Sequence, residues 1–292
     1  MYHLIAVTIL WALSFSLIDA YLAGQVDSYF AVLVRVLLAG LVFLPFLRPR
    51  LLKARQAFVL MAIGAVQLGI MYGFFYQSFL LLSVPEILLF TVLTPLYVTL
   101  LDDALYRRFT PFHLLTAAVA VLGAALIRFE GVDGSFWLGF LVVQGANLCF
   151  ALGQVGYRRF SDALPPELPR YSVFAWFYLG AVLAALPAFL LFGDGSAMPQ
   201  SGIQWVVLLW LGLVASGLGY FFWNLGATKV DAGTLAVMNN ALVPAGLLVN
   251  ILIWNRDVDL LRLIIGGAII VLALWLNNWW QTRRAGDASA QA

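Results

Sequence analysis

The sequence predicts an all-α polytopic membrane protein, with ten transmembrane helices arranged as two inverted five-helix repeats. Three observations predict this fold: an apolar composition, a series of apolar runs and an internal repeat. Of the 292 residues, 63% are hydrophobic and only 10% are charged, and the mean hydropathy is +0.96. A soluble domain carries roughly 25% charged residues. The composition therefore excludes a soluble protein and makes the lipid bilayer a partner of the chain.

Each apolar run is close to the roughly 20 residues that a helix needs to cross a bilayer. The first residues, Met-Tyr-His, lack the basic start of a cleavable signal, so the first run is predicted to be a retained span. The predicted halves are residues 3–129 and 135–280, followed by a tail, residues 281–292. The ten runs are residues 3–22, 28–47, 57–79, 84–101, 111–129, 135–157, 171–192, 203–225, 232–254 and 260–280.

The distribution of basic residues predicts the orientation of the chain. The connections that face one side contain only Arg128, Arg256 and Arg262, and Arg35 lies within a span. By the positive-inside rule the opposite, basic side is cytoplasmic, so both termini are expected there. That side carries twelve of the sixteen Lys and Arg residues: Arg48, Arg50, Lys53, Arg55, Arg107, Arg108, Arg158, Arg159, Arg170, Lys229, Arg283 and Arg284.

The chain also repeats a short aromatic motif. Residues 69–75, GIMYGFF, parallel residues 217–223, GLGYFFW, and a proline follows Tyr72 after 23 residues and Tyr220 after 24. If each half holds five spans, an odd number, the second half must enter the membrane from the opposite face. Inverted repeats are typical of secondary transporters that bind substrate near the midplane. The alternative is chance similarity between two helices rich in Phe and Gly.

Arg35 is the strongest single candidate for a functional residue. It lies about seven residues into the second span, roughly 10 Å deep at 1.5 Å per residue. An arginine near the middle of a bilayer costs about 2.5–3.5 kcal/mol, so a partner is expected. Arg35 either binds an anionic substrate group, ideally a carboxylate held by two hydrogen bonds, or pairs with Asp19 or Glu86. These two acidic residues are also the candidates for coupling transport to protons.

An amide pair in the ninth span is the second candidate. Asn239 and Asn240 are adjacent, so they point about 100° apart on a helix and at most one faces a pocket directly. Pro244 cannot donate to the carbonyl of Asn240, and Pro95 similarly frees the carbonyl of Thr91. Such donors and acceptors suit a ligand that carries an amide-like group, for example a ureido ring. The alternative is hydrogen bonding between helices of the two halves.

Other candidates lie well inside predicted spans. Gln144 and Asn147 are separated by three residues, which places them on one face of a helix as a possible pocket wall. Several aromatic residues form a candidate apolar cage, with packing inside the protein as the alternative for each. These aromatic residues are Trp11, Tyr72, Trp176, Tyr220 and Trp223, and Asn224 follows the last of them.

The sequence does not favour an enzyme. Neither lysine, Lys53 or Lys229, ends the glycine-rich loop of an ATP site, and the chain has no HExxH motif or cysteine cluster for a metal. Asp102 and Asp103 are adjacent at a helix end, where we expect solvated carboxylates rather than a catalytic pair. The predicted partners are a small-molecule substrate and the bilayer, without a cofactor, a metal or a nucleic acid.

Ten spans in two halves, an arginine in the second span and prolines in the fourth and ninth resemble the drug/metabolite transporter superfamily of the EamA type. Within it, more specific strings resemble the biotin transporters of the bacterial inner membrane. This resemblance extends over essentially the whole chain and implies a secondary transporter that imports biotin by alternating access. The strings are residues 9–12, 21–35, 174–180, 230–234, 238–240 and 243–250.

The resemblance brings no residue-level site with it, so the site prediction depends on the residues above. We expect the valerate carboxylate of biotin to meet Arg35 and the ureido ring to meet Asn239 and Asn240. The thiophane carbons are expected to contact the aromatic walls. An exporter of amino acids or related small metabolites on the same fold is the main alternative, because the sequence does not determine the direction of transport. A receptor that transports nothing is a further alternative.

Overall fold

The computed structural model describes residues 1–82, 84–107, 109–128, 136–165, 167–254 and 260–290, and within these ranges every regular element is helical. The helices are α1 Tyr2–Tyr21, α2 Ser28–Phe43, α3 Ala54–Leu81, α4 Val84–Thr91, α5 Thr94–Tyr106, α6 Pro111–Arg128, α7 Phe136–Ser161, α8 Arg170–Phe192, α9 Gly202–Ala227, α10 Ala232–Asn240, α11 Leu242–Trp254 and α12 Leu260–Ala290. Two short 3-10 helices, Leu44–Phe46 and Pro49–Leu51, follow α2.

The all-α class and the membrane character are confirmed. In the described part of the chain, six helices are long and apolar enough to cross a membrane: α1, α2 with the first of its 3-10 turns, α3, α7, α8 and α9. Ten spans in two repeats stay a prediction. The last helix, α12, continues beyond residue 280 into the predicted tail. Arg108 and Arg256, which enter the orientation argument, lie outside the described residues.

The structure differs from the predicted runs at 84–101 and 232–254, because each of these runs is two short helices. The first breaks between α4 and α5, and the second breaks at Ala241, between α10 and α11. Each break lies just before a proline, Pro95 or Pro244. Proline has no N–H for the helical hydrogen bond to the carbonyl four residues back, and that carbonyl belongs to Thr91 or Asn240, the last residue of the helix before each break. Both runs are therefore interrupted in their middle, where the cavity described below lies.

A second irregularity occurs in the two helices that carry the repeated aromatic motif. Residues Ala65–Ile70 of α3 and Leu211–Leu218 of α9 are π-helical, and each segment ends shortly before the tyrosine of its motif. π-helical segments are rare and occur frequently at functional sites. In α9 the carbonyl of Ala215 accepts a hydrogen bond from the indole of Trp11, and the carbonyls of Ser216 and Gly217 accept from Tyr178. The repeated motif is thus accompanied by a repeated change in backbone geometry.

The helices of the two predicted halves interleave. Helix α2 packs against α8 and α9, and α3 packs against α8. Helix α6 packs against α10 and α12, and α5 packs against α10; α1 and α7 contact helices of both groups. The crossing of α3 and α8 is especially close, since a Cβ on Gly64 would overlap the carbonyl of Phe177, and one on Gly180 would overlap that of Met61. Small residues permit such close approach between membrane helices.

A candidate substrate cavity around a buried arginine

A cavity lies among α1, α2, α3, the two broken helix pairs, α7 and α9, and its free volume is about 100 Å³. This volume is smaller than the roughly 300–1,000 Å³ that is typical of ligand sites. The wall is largely aromatic and aliphatic, and Arg35 is the one charged residue among the described residues that form it. The lining residues are Thr8, Trp11, Ser14, Phe15, Ile18, Arg35, Met71, Tyr72, Phe75, Thr91, Thr94, Ala146, Asn147, Phe150, Tyr220, Trp223, Asn239 and Leu242.

Hydroxyl groups hold the Arg35 guanidinium, which is only 2% exposed. Its Nε donates to Ser216 Oγ at 3.0 Å, Nη1 donates to the Tyr76 hydroxyl at 3.0 Å, and Nη2 donates to the Tyr72 hydroxyl at 2.8 Å. The guanidinium carbon also lies 4.2 Å from the centroid of the Tyr72 ring. A guanidinium has five N–H donors, so three are used and two remain for a ligand.

The alternative role of Arg35, a structural pair with Asp19 or Glu86, is not observed in this structure. The described hydrogen bonds of Arg35 all go to neutral hydroxyls, and neither acidic residue lines the cavity. Both acidic side chains are half-buried. Burying a charge is costly unless an opposite charge or several hydrogen bonds compensate it. The cavity therefore carries a positive charge that only neutral groups stabilise.

Four aromatic rings form one continuous part of the wall. The ring of Trp11 lies 4.8 Å from that of Tyr220, 4.9 Å from that of Trp223 and 5.7 Å from that of Phe150, measured between centroids. The two tyrosines of the repeated motif also meet, since the Tyr72 and Tyr220 rings are 5.8 Å apart. This cluster provides an apolar surface beside the guanidinium.

The structure separates the adjacent amides of α10. Asn239 lines the cavity, where its amide donates to the carbonyl of Leu235 at 2.8 Å and accepts from Gln154 Nε2 at 3.4 Å. Asn240 is fully buried outside the wall and donates to the carbonyl of Val92 at 3.2 Å, in the break between α4 and α5. Asn240 therefore has the alternative role given in the sequence analysis, a hydrogen bond between helices rather than a contact with the cavity.

The polar pair on α7, Gln144 and Asn147, forms hydrogen bonds at the same break between α4 and α5. Gln144 Nε2 and Asn147 Nδ2 both donate to the carbonyl of Phe90, at 3.3 Å and 2.8 Å. Asn147 also donates to Gln144 Oε1 at 3.1 Å, and that oxygen accepts from the Tyr97 hydroxyl at 3.2 Å. Asn147 lines the cavity, whereas Gln144 lies behind it. Amides from two helices thus satisfy carbonyls that the interruption of this span leaves without helical partners.

Two further predicted candidates lie outside the cavity wall. Trp176 packs against the core of α2, α3 and α8, and its indole N–H is buried without a hydrogen-bond partner among the described residues. Asn224 is fully buried between α9 and α3, where it donates to the carbonyl of Tyr220 at 3.1 Å and accepts from Gln67 at 3.3 Å. Of the ten predicted binding residues, six line the cavity and four, these two with Gln144 and Asn240, do not.

The prediction that Asp102 and Asp103 are solvated is wrong. Asp102 is fully buried and accepts from Arg158 Nη1 at 2.8 Å, an ion pair that joins α5 to α7. Asp103 is 7% exposed and accepts from the backbone N–H of Thr110 at 2.7 Å. Neither carboxylate lines the cavity. Their partners compensate the cost of burial, and the residues act in helix packing.

Sequence reasoning missed the small hydroxyl residues around the site. Ser216 contacts Arg35 and also lies 2.8 Å from the Tyr72 hydroxyl. A lone Ser or Thr in an apolar run carries no distinctive signal, because such residues commonly bond to their own helix. The missed hydroxyl residues of the wall are Thr8, Ser14, Thr91 and Thr94.

The model of the EamA-like transporter family matches residues 1–129 and 137–279. The chain belongs to the EamA-like transporter family. Its membership agrees with the multi-pass helical fold and with a transporter rather than an enzyme. A crystal structure of another protein shares the fold of this EamA-like chain, with a TM-score of 0.74 and 20% identity over 94% of each chain.

Full-length relatives of this EamA-like protein are named as biotin transporters. The probable biotin transporter of Pseudomonas aeruginosa is 59% identical over 278 residues, which cover 95% of this chain and 97% of the relative. The biotin transporter of Salmonella typhimurium is 51% identical over 287 residues, which cover 98% of this chain and 95% of the relative. The resemblance to this family and to its biotin transporters, which the sequence analysis stated, is confirmed.

Proposed function

We propose that this EamA-like protein is a secondary transporter that imports biotin across the bacterial inner membrane by alternating access. The observation that carries the proposal is the buried Arg35 in a cavity whose described wall has no other charge. A ligand that fits this wall is a mainly apolar molecule with one anionic end. Biotin has that form, and relatives that match over nearly their full length are named as biotin transporters.

The proposed binding mode places the biotin carboxylate at Arg35. A guanidinium binds a carboxylate through two parallel charge-assisted hydrogen bonds, and two of its donors are not used by Ser216, Tyr72 or Tyr76. The ion pair would neutralise the one charge of the wall. The thiophane ring and the valerate methylenes would then contact the aromatic cluster around Trp11, where apolar contact is favourable.

Alternating access requires parts of the protein to move relative to each other, and we assign those parts from the packing. The predicted repeats are residues 3–129 and 135–280, with residues 281–292 as a tail and both termini in the cytoplasm. The parallel π-helical segments and helix breaks support a repeat of this kind. Because the halves interleave, the proposed moving groups are α2, α3, α8 and α9 on one side and α5, α6, α10 and α12 on the other.

Uptake of radiolabelled biotin tests the proposal directly. The protein is expressed in a bacterial biotin auxotroph that lacks its own biotin transporter, and uptake is compared with that of an empty vector. We expect saturable uptake and growth at low external biotin. Membrane-inserted protein without uptake above the vector would refute import of biotin. Faster loss of preloaded amino acids from the same cells would instead support the exporter alternative.

A further inference from the structure

Two polar atoms of the cavity wall have no hydrogen-bond partner among the described residues. They are the side-chain oxygen of Asn147 and the hydroxyl of Thr94, and both residues are only 4% exposed. Both residues lie at the break between α4 and α5: Asn147 Nδ2 donates to the carbonyl of Phe90 just before the break, and Thr94 is the first residue of α5 after it. The wall therefore places an acceptor and a hydroxyl at one locus.

The amide orientation of Asn147 follows from its neighbours. A backbone carbonyl only accepts, so the nitrogen of the amide must face Phe90, at 2.8 Å. The same nitrogen also donates to Gln144 Oε1 at 3.1 Å, so both of its N–H groups are used. The Oδ1 atom is left as a pure acceptor with two lone pairs. Because the amide cannot flip without losing both bonds, this acceptor is fixed in place.

Thr94 differs from the other Ser and Thr residues of the wall. The hydroxyls of Thr8, Ser14 and Thr91 donate to backbone carbonyls of their own helices, at 2.8, 3.1 and 2.8 Å. Thr94 is the first residue of its helix, and no described hydrogen bond joins its hydroxyl to the carbonyl of Phe90 or Thr91, four and three residues before it. Its hydroxyl proton is consequently available to a ligand. An O–H donor and an amide acceptor together match a group that has a carbonyl beside an N–H.

We infer that Asn147 Oδ1 and Thr94 Oγ1 form a subsite for a cyclic urea, with a ring N–H donating to Asn147 and the urea carbonyl accepting from Thr94. This inference rests on the proposed function, and it assigns the ureido end of biotin to the α4–α5 break. It replaces the predicted locus on α10. Both amide functions of Asn239 already have partners, and Asn240 lies outside the wall.

Thr94→Val is the direct test, because valine keeps the shape and removes only the hydroxyl. No described protein hydrogen bond is lost, so we expect unchanged membrane content and melting temperature. The KM for biotin uptake is expected to rise roughly tenfold, as for loss of one hydrogen bond to a buried ligand group. Thr94→Ser should restore a KM close to that of the wild type. The matched control is Thr99→Val on the same helix, whose hydroxyl donates to its own helix outside the cavity.

Competing ligands test the chemistry of the subsite. Desthiobiotin keeps the ureido ring, whereas octanoate keeps a carboxylate without any urea. Thr94→Val should weaken inhibition by desthiobiotin by the same factor as the KM for biotin, and it should leave inhibition by octanoate unchanged. An unchanged KM in Thr94→Val, or an equal loss for octanoate, would overturn the subsite.

A different result separates the subsite from the proposed function. If the wild type inserts in the membrane but does not take up biotin, the proposed function fails. The subsite is then judged by binding of desthiobiotin to the purified protein. Weaker binding to Thr94→Val than to Thr99→Val would support it, whereas equal binding, or no binding to the wild type, would overturn it.

Discussion

Replacing Arg35 with lysine keeps the positive charge and removes the planar arrangement of donors. The guanidinium uses three N–H groups on Ser216, Tyr76 and Tyr72 and has two left for a carboxylate. An ammonium has only three donors in all, so it must give up one of these three neighbours to form a single bond to the carboxylate, and it cannot form the second. Loss of one charge-assisted hydrogen bond costs about 1.5–3 kcal/mol. Since 1.4 kcal/mol corresponds to a factor of ten, the KM for biotin should rise roughly 10- to 150-fold.

Initial rates of radiolabelled biotin uptake over a series of concentrations give this KM, and quantitation of the protein in membranes gives the amount inserted. The matched control is Arg48→Lys, because Arg48 is exposed in the connection after α2. We expect the control to retain the wild-type KM. If Arg35→Lys loses membrane content and uptake in proportion while the KM stays constant, then Arg35 has a structural role and the reasoning is refuted.

The methyl ester of biotin tests whether the guanidinium meets the carboxylate itself. The ester keeps both rings and the chain, but it lacks the negative charge. In the wild type it should compete with biotin at least tenfold less well than biotin itself, and this difference should shrink in Arg35→Lys. Equal competition by the ester and by unlabelled biotin in the wild type would contradict contact between Arg35 and the carboxylate.

Three further predictions concern residues outside the cavity wall. Asn240→Leu leaves the carbonyl of Val92 unpaired, so it should lower stability by about 1–3 kcal/mol without changing the KM; a raised KM at unchanged stability would contradict this. Asp102→Asn should lower stability by about 1.5–3 kcal/mol, because it removes a charge-assisted hydrogen bond to Arg158, whose side chain is 19% exposed. Thermal unfolding of this variant and of the wild type measures the loss. Gly180→Ala should prevent accumulation of folded protein, since its Cβ has no space at the facing helix.

The sequence predicts the positions of the helices well, because the length of each apolar run reflects the thickness of the bilayer. It does not show where a helix changes its hydrogen-bond pattern. Pro95 and Pro244 predict freed carbonyls. A proline can either kink a helix or end it, however, and the sequence does not show which of the two occurs. The π-helical segments have no distinctive local signal, since Ala65–Ile70 and Leu211–Leu218 are mostly apolar sequences with glycine and one polar residue each.

The sequence identifies residue types that suit the site, but it does not show which way their side chains point. Arg35 is identifiable from the free-energy cost of a charge inside the membrane, because such a charge must have a function or a partner. For Asn239 and Asn240 the sequence indicates that at most one faces a pocket, but the choice depends on how α10 is rotated. The structure turns Asn239 to the cavity and Asn240 to the break. Thr94 depends on its position at a helix start, which appears only when the break is known.

The single charge of the described wall also bears on the energetics of the proposed import. In the proposed binding mode a carboxylate at Arg35 makes the site neutral, so the loaded transporter would move no net charge through the membrane potential. The empty site carries one positive charge, and its return toward the outside opposes an inside-negative potential by up to about 2.3 kcal/mol per 100 mV. Neither Asp19 nor Glu86 lines the cavity, so neither would contact the substrate there. If the protein imports biotin as proposed, an ion that assists the return of the empty transporter would offset this electrical cost.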